Sequence, residues 1–157
     1  MKTVYLAGGC FWGIEEYFSR ITGIISTTVG YANSLKDNPC YEEVCSGKIN
    51  AVETVKIIYD NKIIPLEKIL SYFFKVIDPT ILNRQNNDVG VQYRTGIYYE
   101  KDEDKEIISN YIEKIKKNYK ADIVTEIMRI INFYKAEEYH QNYLKKNPGG
   151  YCHIELD

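Results

Sequence analysis

The chain has 157 residues, of which 45% are hydrophobic, enough for one domain with one core. Its net charge of −2, with lysine and glutamate interspersed, argues against a nucleic-acid patch, and no apolar run approaches the roughly 18 residues of a membrane span. The opening run Val4-Tyr5-Leu6-Ala7 is too short for a signal peptide, so a cytoplasmic protein is expected.

Thr3 to Ala7 is predicted as a strand, and residues 11–21 as a helix with Ile14, Phe18 and Ile21 on one face and Gly23 as its end. Ile24 to Tyr31, dense in β-branched residues, reads as a strand. Residues 32–50 form a long polar stretch with Asn38-Pro39 and Ser46-Gly47, and loops of that length in compact domains usually serve function. Val52 to Tyr59 alternates as a strand, with Val55 and Ile57 on one face and Thr54, Lys56 and Ile58 on the other. Pro65 suits the first turn of a helix whose stripe is Leu66, Ile69, Leu70, Phe73, Phe74 and Ile77, and Asp78-Pro79 stops it. Residues 78–92 are a second long polar loop, and Tyr93 to Tyr99 is predicted as a strand. Asp102 is predicted to cap a helix with the stripe Ile107, Ile108, Tyr111, Ile112, Ile115 and Tyr119. Ile123 to Ile127 is expected as a strand, Ala136 to Lys146 as a short helix, and Pro148 to His153 as a flexible segment. This order fits an α+β fold, a mixed central sheet with helices packed on it in a two-layer, ferredoxin-like α/β plait, with long loops for an active site. One domain over 1–157 is expected, ending in a flexible tail over 147–157.

The turn Gly8-Gly9-Cys10-Phe11-Trp12-Gly13 joins the first strand to the first helix. It fails as a dinucleotide fingerprint because Cys10 takes the middle glycine place, and as a phosphate loop because Ile14 replaces the lysine. Cys10 instead starts a helix, where unpaired N–H groups favour an anion, so its thiol pKa is expected to fall. Gly8 and Gly9 would clear the approach to its sulfur, and Phe11 and Trp12 would wall it. Of the four cysteines, Cys10, Cys40, Cys45 and Cys152, none forms a CxxC pair, so catalytic or redox thiols are the default. Two alternatives stay open on the residues alone: a thiol peroxidase using Cys10 and Cys152, and a zinc-stabilised module using Cys40, Cys45, Cys152 and His140, although the ligand spacing is atypical for zinc.

Five blocks of sequence occur in order: Gly8 to Gly13, Asn38 to Gly47, Leu82 to Arg94, Ala136 to Gln141, and Gly150-Tyr151-Cys152. Together they resemble the A-type peptide methionine sulfoxide reductases over essentially the whole chain. The resemblance implies reduction of the S epimer of methionine sulfoxide, free or in proteins, as repair of oxidative damage. It implies Cys10 as nucleophile, Glu53 as catalytic acid, Tyr41 and Tyr93 as hydrogen-bond donors to the sulfoxide oxygen, and Phe11 and Trp12 as the wall for the terminal methyl. Asp88 would shape the site from the Asn-Asp-x-Gly loop. Cys152 would resolve the sulfenic acid on Cys10 through a Cys10–Cys152 disulfide, with Cys45 structural and Cys40 where the family commonly has threonine. No bound cofactor and no metal are implied. Thioredoxin, or dithiothreitol in its place, would be the external reductant of a monomer that binds neither nucleic acid nor membrane. Glu53 interrupts an apolar strand run, so burial is expected to raise its pKa into the range of a useful acid. Ala51 stands where the family commonly has histidine, which leaves the acid without a polar neighbour.

Overall fold

A computed structural model describes residues 1–152, 154 and 156. The elements in chain order are β1 (Lys2–Ala7), α1 (Phe11–Ser19), β2 (Ile24–Ala32), α2 (Tyr41–Cys45), β3 (Val52–Tyr59), α3 (Leu66–Val76), β4 (Arg84–Gln85), β5 (Asp88–Val89), β6 (Gly96–Tyr99), α4 (Asp102–Ile115), β7 (Glu126–Arg129), β8 (Phe133–Lys135) and α5 (Tyr143–Lys146). Six strands form one sheet in the order β7-β6-β1-β3-β2-β8, and β4 and β5 form a separate two-stranded ladder. Within the sheet, β6-β1-β3-β2 are mutually antiparallel neighbours. With α1 after β1 and α3 after β3, this is the β-α-β-β-α-β plait expected from the sequence. The sheet is mixed because β7 adds parallel to β6, whereas β8 adds antiparallel to β2.

The period of two along each strand sorts side chains between two cores. Val4 and Leu6 of β1, Val55, Ile57 and Tyr59 of β3, and Val29 and Tyr31 of β2 share one cluster with Phe11, Ile14 and Phe18 of α1 and Leu70 and Phe73 of α3. Tyr5, Ala7, Ala32, Val52 and Tyr98 form a smaller cluster on the opposite face, packed by Met128, Ile130 and Phe133. The helices therefore cover one face, and short irregular segments cover the other.

Several boundaries differ from those expected. The polar stretch 32–50 contains α2, and β6 starts only at Gly96 because Val91–Tyr93 closes a 3-10 turn. Lys101, not Asp102, occupies the N-cap of α4; Asp102 lies in its first turn, where its charge suits the helix dipole. The helix expected over 136–146 is broken into a 3-10 turn at Glu138–His140 and the short α5. Two causes are visible. Asn142 is left-handed (φ 53°), and the buried Gln141 side chain is committed to β2, accepting from the Val29 N–H and donating to the Val29 carbonyl. Among the described residues, every non-glycine position with positive φ is asparagine, namely 33, 38, 50, 83, 86 and 142. Asparagine tolerates that conformation, so it serves as the turn residue throughout the irregular stretches.

Candidate active site

Cys10 occupies the N-cap of α1, immediately after central strand β1, and is 8% exposed. Gly9 makes the turn with φ 83°, a backbone that L side chains avoid. Gly8 serves packing: a Cβ there would lie 2.6 Å from Ile77 Cγ2 and 3.1 Å from Phe73 Cε1. Gly8 thus lets the end of α3 close against the turn.

Glu53 lies on β3, the strand between β1 and β2, opposite Tyr31. It shares the face of Val55, Ile57 and Tyr59, so the pleat aims its carboxyl at the helical layer, where it is 2% exposed. The Phe11 N–H at the start of α1 donates to Glu53 Oε1 at 3.2 Å. Burial pushes the Glu53 pKa up to about 8; the Phe11 hydrogen bond opposes this and the charge of Asp88 adds to it. At neutral pH Glu53 is therefore predominantly a carboxylic acid, able to donate a proton.

The thiol of Cys10 departs from expectation. Its pKa is raised, not lowered, first by burial and then by the charges of Glu53, Asp88 and Cys152; only the Trp12 backbone N–H pulls it down. A helix of nine residues offers a dipole, but dehydration and two nearby acids outweigh it. The second-largest of these influences disappears whenever Glu53 is protonated.

Cys10, Phe11, Trp12, Tyr41, Glu53, Asp88, Tyr93 and Tyr151 line one cavity of about 250 Å³. Tyr41 opens α2, and its backbone N–H donates to Glu137 Oε2 at 3.0 Å. Its hydroxyl is hydrogen-bonded to Tyr93 and to Cys45, and burial raises the pKa of both tyrosines, so both remain donors. Asp88 accepts from the Cys10 N–H at 3.4 Å and from the Tyr151 hydroxyl. Trp12 donates from Nε1 to His140 Nδ1 at 3.0 Å and stacks on Tyr143 with centroids 3.7 Å apart. Cys152 stands close enough to the cavity to influence Cys10, and its Sγ donates to the Ile154 carbonyl at 3.2 Å. Cys40 does not line the cavity; its backbone N–H donates to Glu43 Oε1.

The sequence reading assigned no role to Glu137, Tyr143 or Tyr151 and took His140 only as a candidate ligand. Glu137 accepts from the Tyr31 hydroxyl at 2.8 Å as well as from Tyr41. Burial works against its charge, but these bonds and its own backbone N–H hold its pKa below the ordinary value. The signal for Glu137 and His140 was present: acidic and aromatic residues concentrated in the block Ala136–Gln141 need partners if buried. The zinc alternative required Cys40, Cys45, Cys152 and His140 to converge, and the described residues contain no metal-sized group of three such side chains.

Comparison with known proteins places the chain. The family model for peptide methionine sulfoxide reductase matches residues 2–157. The peptide methionine sulfoxide reductase MsrA of Clostridium botulinum (strain Loch Maree / Type A3) is 59% identical over 157 residues, the whole length of both chains. Mxr1 from Saccharomyces cerevisiae in reduced form superposes with a TM-score of 0.93 at 39% identity, covering 99% of this chain and 91% of that one. Mxr1 in complex with Trx2 gives a TM-score of 0.66 at 28% identity, over 90% of this chain and 84% of that one. A full-length family match and a relative of the same length and more than half the same residues lead to one conclusion: the chain belongs to the peptide methionine sulfoxide reductase family, in its A-type branch.

Proposed function

We propose that Cys10, Glu53, Tyr41 and Tyr93 carry out the family reaction on the S epimer of methionine sulfoxide, free or within proteins. The sulfoxide sulfur sits over Cys10, its methyl against Phe11 and Trp12, and its oxygen toward Glu53 and the two tyrosine hydroxyls. The Phe11 N–H occupies Glu53 Oε1, which leaves the other oxygen to carry the proton. As the Cys10 sulfur attacks, Glu53 protonates the sulfoxide oxygen and takes up the proton leaving the thiol, so no net proton is needed. The oxygen then passes to Cys10. The substrate sulfur is reduced to the thioether, and Cys10 is oxidised to the sulfenic acid. A raised thiol pKa suits this order, because the thiol holds its proton until the oxygen has been protonated.

For the second half, the sulfenic acid on Cys10 is resolved by Cys152, giving a Cys10–Cys152 disulfide and water. A thioredoxin, suggested by the relative solved with Trx2, reduces the disulfide. Dithiothreitol substitutes for it in the test tube, and the thiol chemistry calls for no bound redox cofactor. The enzyme acts as a monomer in the cytoplasm. The observation that carries the reading is the buried acid Glu53, hydrogen-bonded to the same turn that presents Cys10. The test is turnover of the separated sulfoxide epimers with dithiothreitol as reductant. The S epimer alone should be reduced, and turnover of the R epimer instead, or of neither, would overturn the assignment.

A further inference from the structure

The segment after α5 is fastened at two ends. At one, the Tyr151 hydroxyl is hydrogen-bonded to Asp88 beside Cys10. At the other, Arg20 Nη1 donates to the Leu156 carbonyl at 3.0 Å. Leu156 also lines a second cavity, of about 470 Å³, between the end of α1 (Tyr17, Arg20, Ile21) and α3 (Lys68, Tyr72). Between the fastenings, Cys152 donates to the Ile154 carbonyl and Ile154 packs on the main core.

Lengths show what these fastenings do. Cys10 caps one end of α1 and Arg20 the other. Ten helical steps cover about 15 Å. The five steps from Tyr151 to Leu156 reach at most about 18 Å when fully extended. The segment can therefore bridge the two ends of α1, and holding Leu156 confines Cys152, four residues away, to within about 14 Å of it. Arg20 is itself braced. Its Nε donates to Glu16 Oε2 at 2.8 Å, and Lys145 Nζ holds the other Glu16 oxygen at 2.6 Å. A planar guanidinium held at one edge presents its remaining N–H groups in a fixed direction.

We propose that Arg20 is a positioning residue for the recycling half-reaction: by holding the Leu156 carbonyl at the far end of α1, it keeps Cys152 within reach of Cys10. This rests on Cys152 being the resolving cysteine. The step it assists is attack of the Cys152 thiol on the Cys10 sulfenic acid, which forms one S–S bond and releases the oxygen as water. Without the fastening, the thiol samples a larger volume and its effective concentration at Cys10 falls. The methionine-releasing step does not involve the segment and keeps its rate.

The experiment is rapid-quench mass spectrometry after one equivalent of methionine sulfoxide, following methionine release and disulfide formation separately in wild type, Arg20→Ala, Arg20→Lys and Cys152→Ser. Loss of this one solvent-exposed hydrogen bond should slow disulfide formation in Arg20→Ala by about three- to tenfold, with methionine release unchanged. Arg20→Lys, which keeps a donor, should recover part of the rate. Glu16 keeps Lys145 in both variants, and an unchanged melting temperature excludes a general loss of fold. A wild-type rate of disulfide formation in Arg20→Ala overturns the proposal, as does an equal slowing of methionine release. If Cys152→Ser still forms an intramolecular disulfide at the wild-type rate, the fault lies instead in the identity of the resolving cysteine.

Discussion

Cys10 and Cys152 sit in opposite kinds of structure. Cys10 is buried at the junction of a central strand and a helix, with its backbone N–H tied to Asp88. Cys152 is half-buried on a segment whose described residues lie in no helix or strand, and its thiol is parked on the carbonyl two residues away. Sulfoxide reduction needs a fixed sulfur, a fixed acid and little water. Disulfide formation instead needs two Cα atoms within about 4.4–6.8 Å of each other, so the second thiol must be able to adjust to the first. A rigid thiol and a tethered one divide these tasks, and the division can be attacked from either side.

Removing the rigid thiol should have the largest effect. Cys10→Ser is expected to release no methionine in a single turnover with any reductant, while its far-UV circular dichroism stays that of the wild type. Any methionine burst from that variant would move the nucleophile elsewhere. Removing the tethered thiol should separate the halves. Cys152→Ser is expected to release one methionine per enzyme, yet to lose thioredoxin-driven turnover and keep partial turnover with dithiothreitol. Cys40, a further cysteine beside Tyr41, is the competitor for that role. It does not line the cavity, so Cys40→Ser should recycle normally. Loss of recycling in Cys40→Ser, with retention in Cys152→Ser, would reverse the assignment.

The rigid half was the more legible in the sequence. Alternation along Val52–Tyr59 and the apolar stripe of Leu66 to Ile77 reflect burial on one face, which periodicity reports directly. They place β3 and α3, and with them Glu53. Cys10, Glu53, Tyr41, Tyr93, Asp88, Phe11 and Trp12, named from separate stretches, line one cavity. The stretch 136–146 was misread because its polar residues act on distant partners. Gln141 binds Val29, and Glu137 binds Tyr31 and Tyr41, at separations of about a hundred residues. No local pattern carries such contacts. The direction of the Cys10 pKa was misjudged for a related reason: the helix start is local, whereas the dehydration and the acids that outweigh it come from β3 and β5. Tyr151, Cys152 and Arg20 met the same difficulty, since the contacts of Tyr151 with Asp88 and of Arg20 with Leu156 leave no periodic trace.

Weakening the rigid half without dismantling it should give an intermediate effect. Glu53→Gln keeps the acceptor for the Phe11 N–H but removes the transferable proton. A general acid contributes roughly 10²–10⁴-fold, and a loss in that range is expected in the single-turnover rate. In the wild type the acid form persists up to about pH 8, so kcat/KM should fall above that pH, and the fall attributable to Glu53 should vanish in Glu53→Gln. Stability gives an independent reading. The folded pKa of about 8 exceeds the ordinary value of 4.5, so the protonated carboxyl costs nothing below 4.5, and stability is lost as pH rises toward 8. Glu53→Gln should therefore melt at a higher temperature than the wild type at pH 9 and much closer to it at pH 5. A melting difference that does not depend on pH would mean that Glu53 is ionised in the folded protein.

The smallest expected effect lies in the wall of the cavity. Trp12 is held on one side by stacking on Tyr143 and on the other by its hydrogen bond to His140 Nδ1. For Nδ1 to accept, the imidazole must be neutral, and burial lowers the His140 pKa toward that state. His140→Leu keeps bulk among Phe11, Tyr41 and Tyr139 but leaves the indole N–H without its acceptor. One lost neutral hydrogen bond is worth about 1 kcal/mol, or roughly fivefold in an equilibrium constant. The indole is a wall and not a proton carrier, so the loss should fall on KM, with the single-turnover rate at saturation changed less than twofold. The wild type should show a related loss on acidification, because a protonated His140 offers a donor where Trp12 needs an acceptor. His140→Leu should lack that acid limb. If KM is unchanged and the acid limb persists in the variant, stacking on Tyr143 alone positions Trp12, and the rigid half depends less on residues 136–141 than their contacts imply.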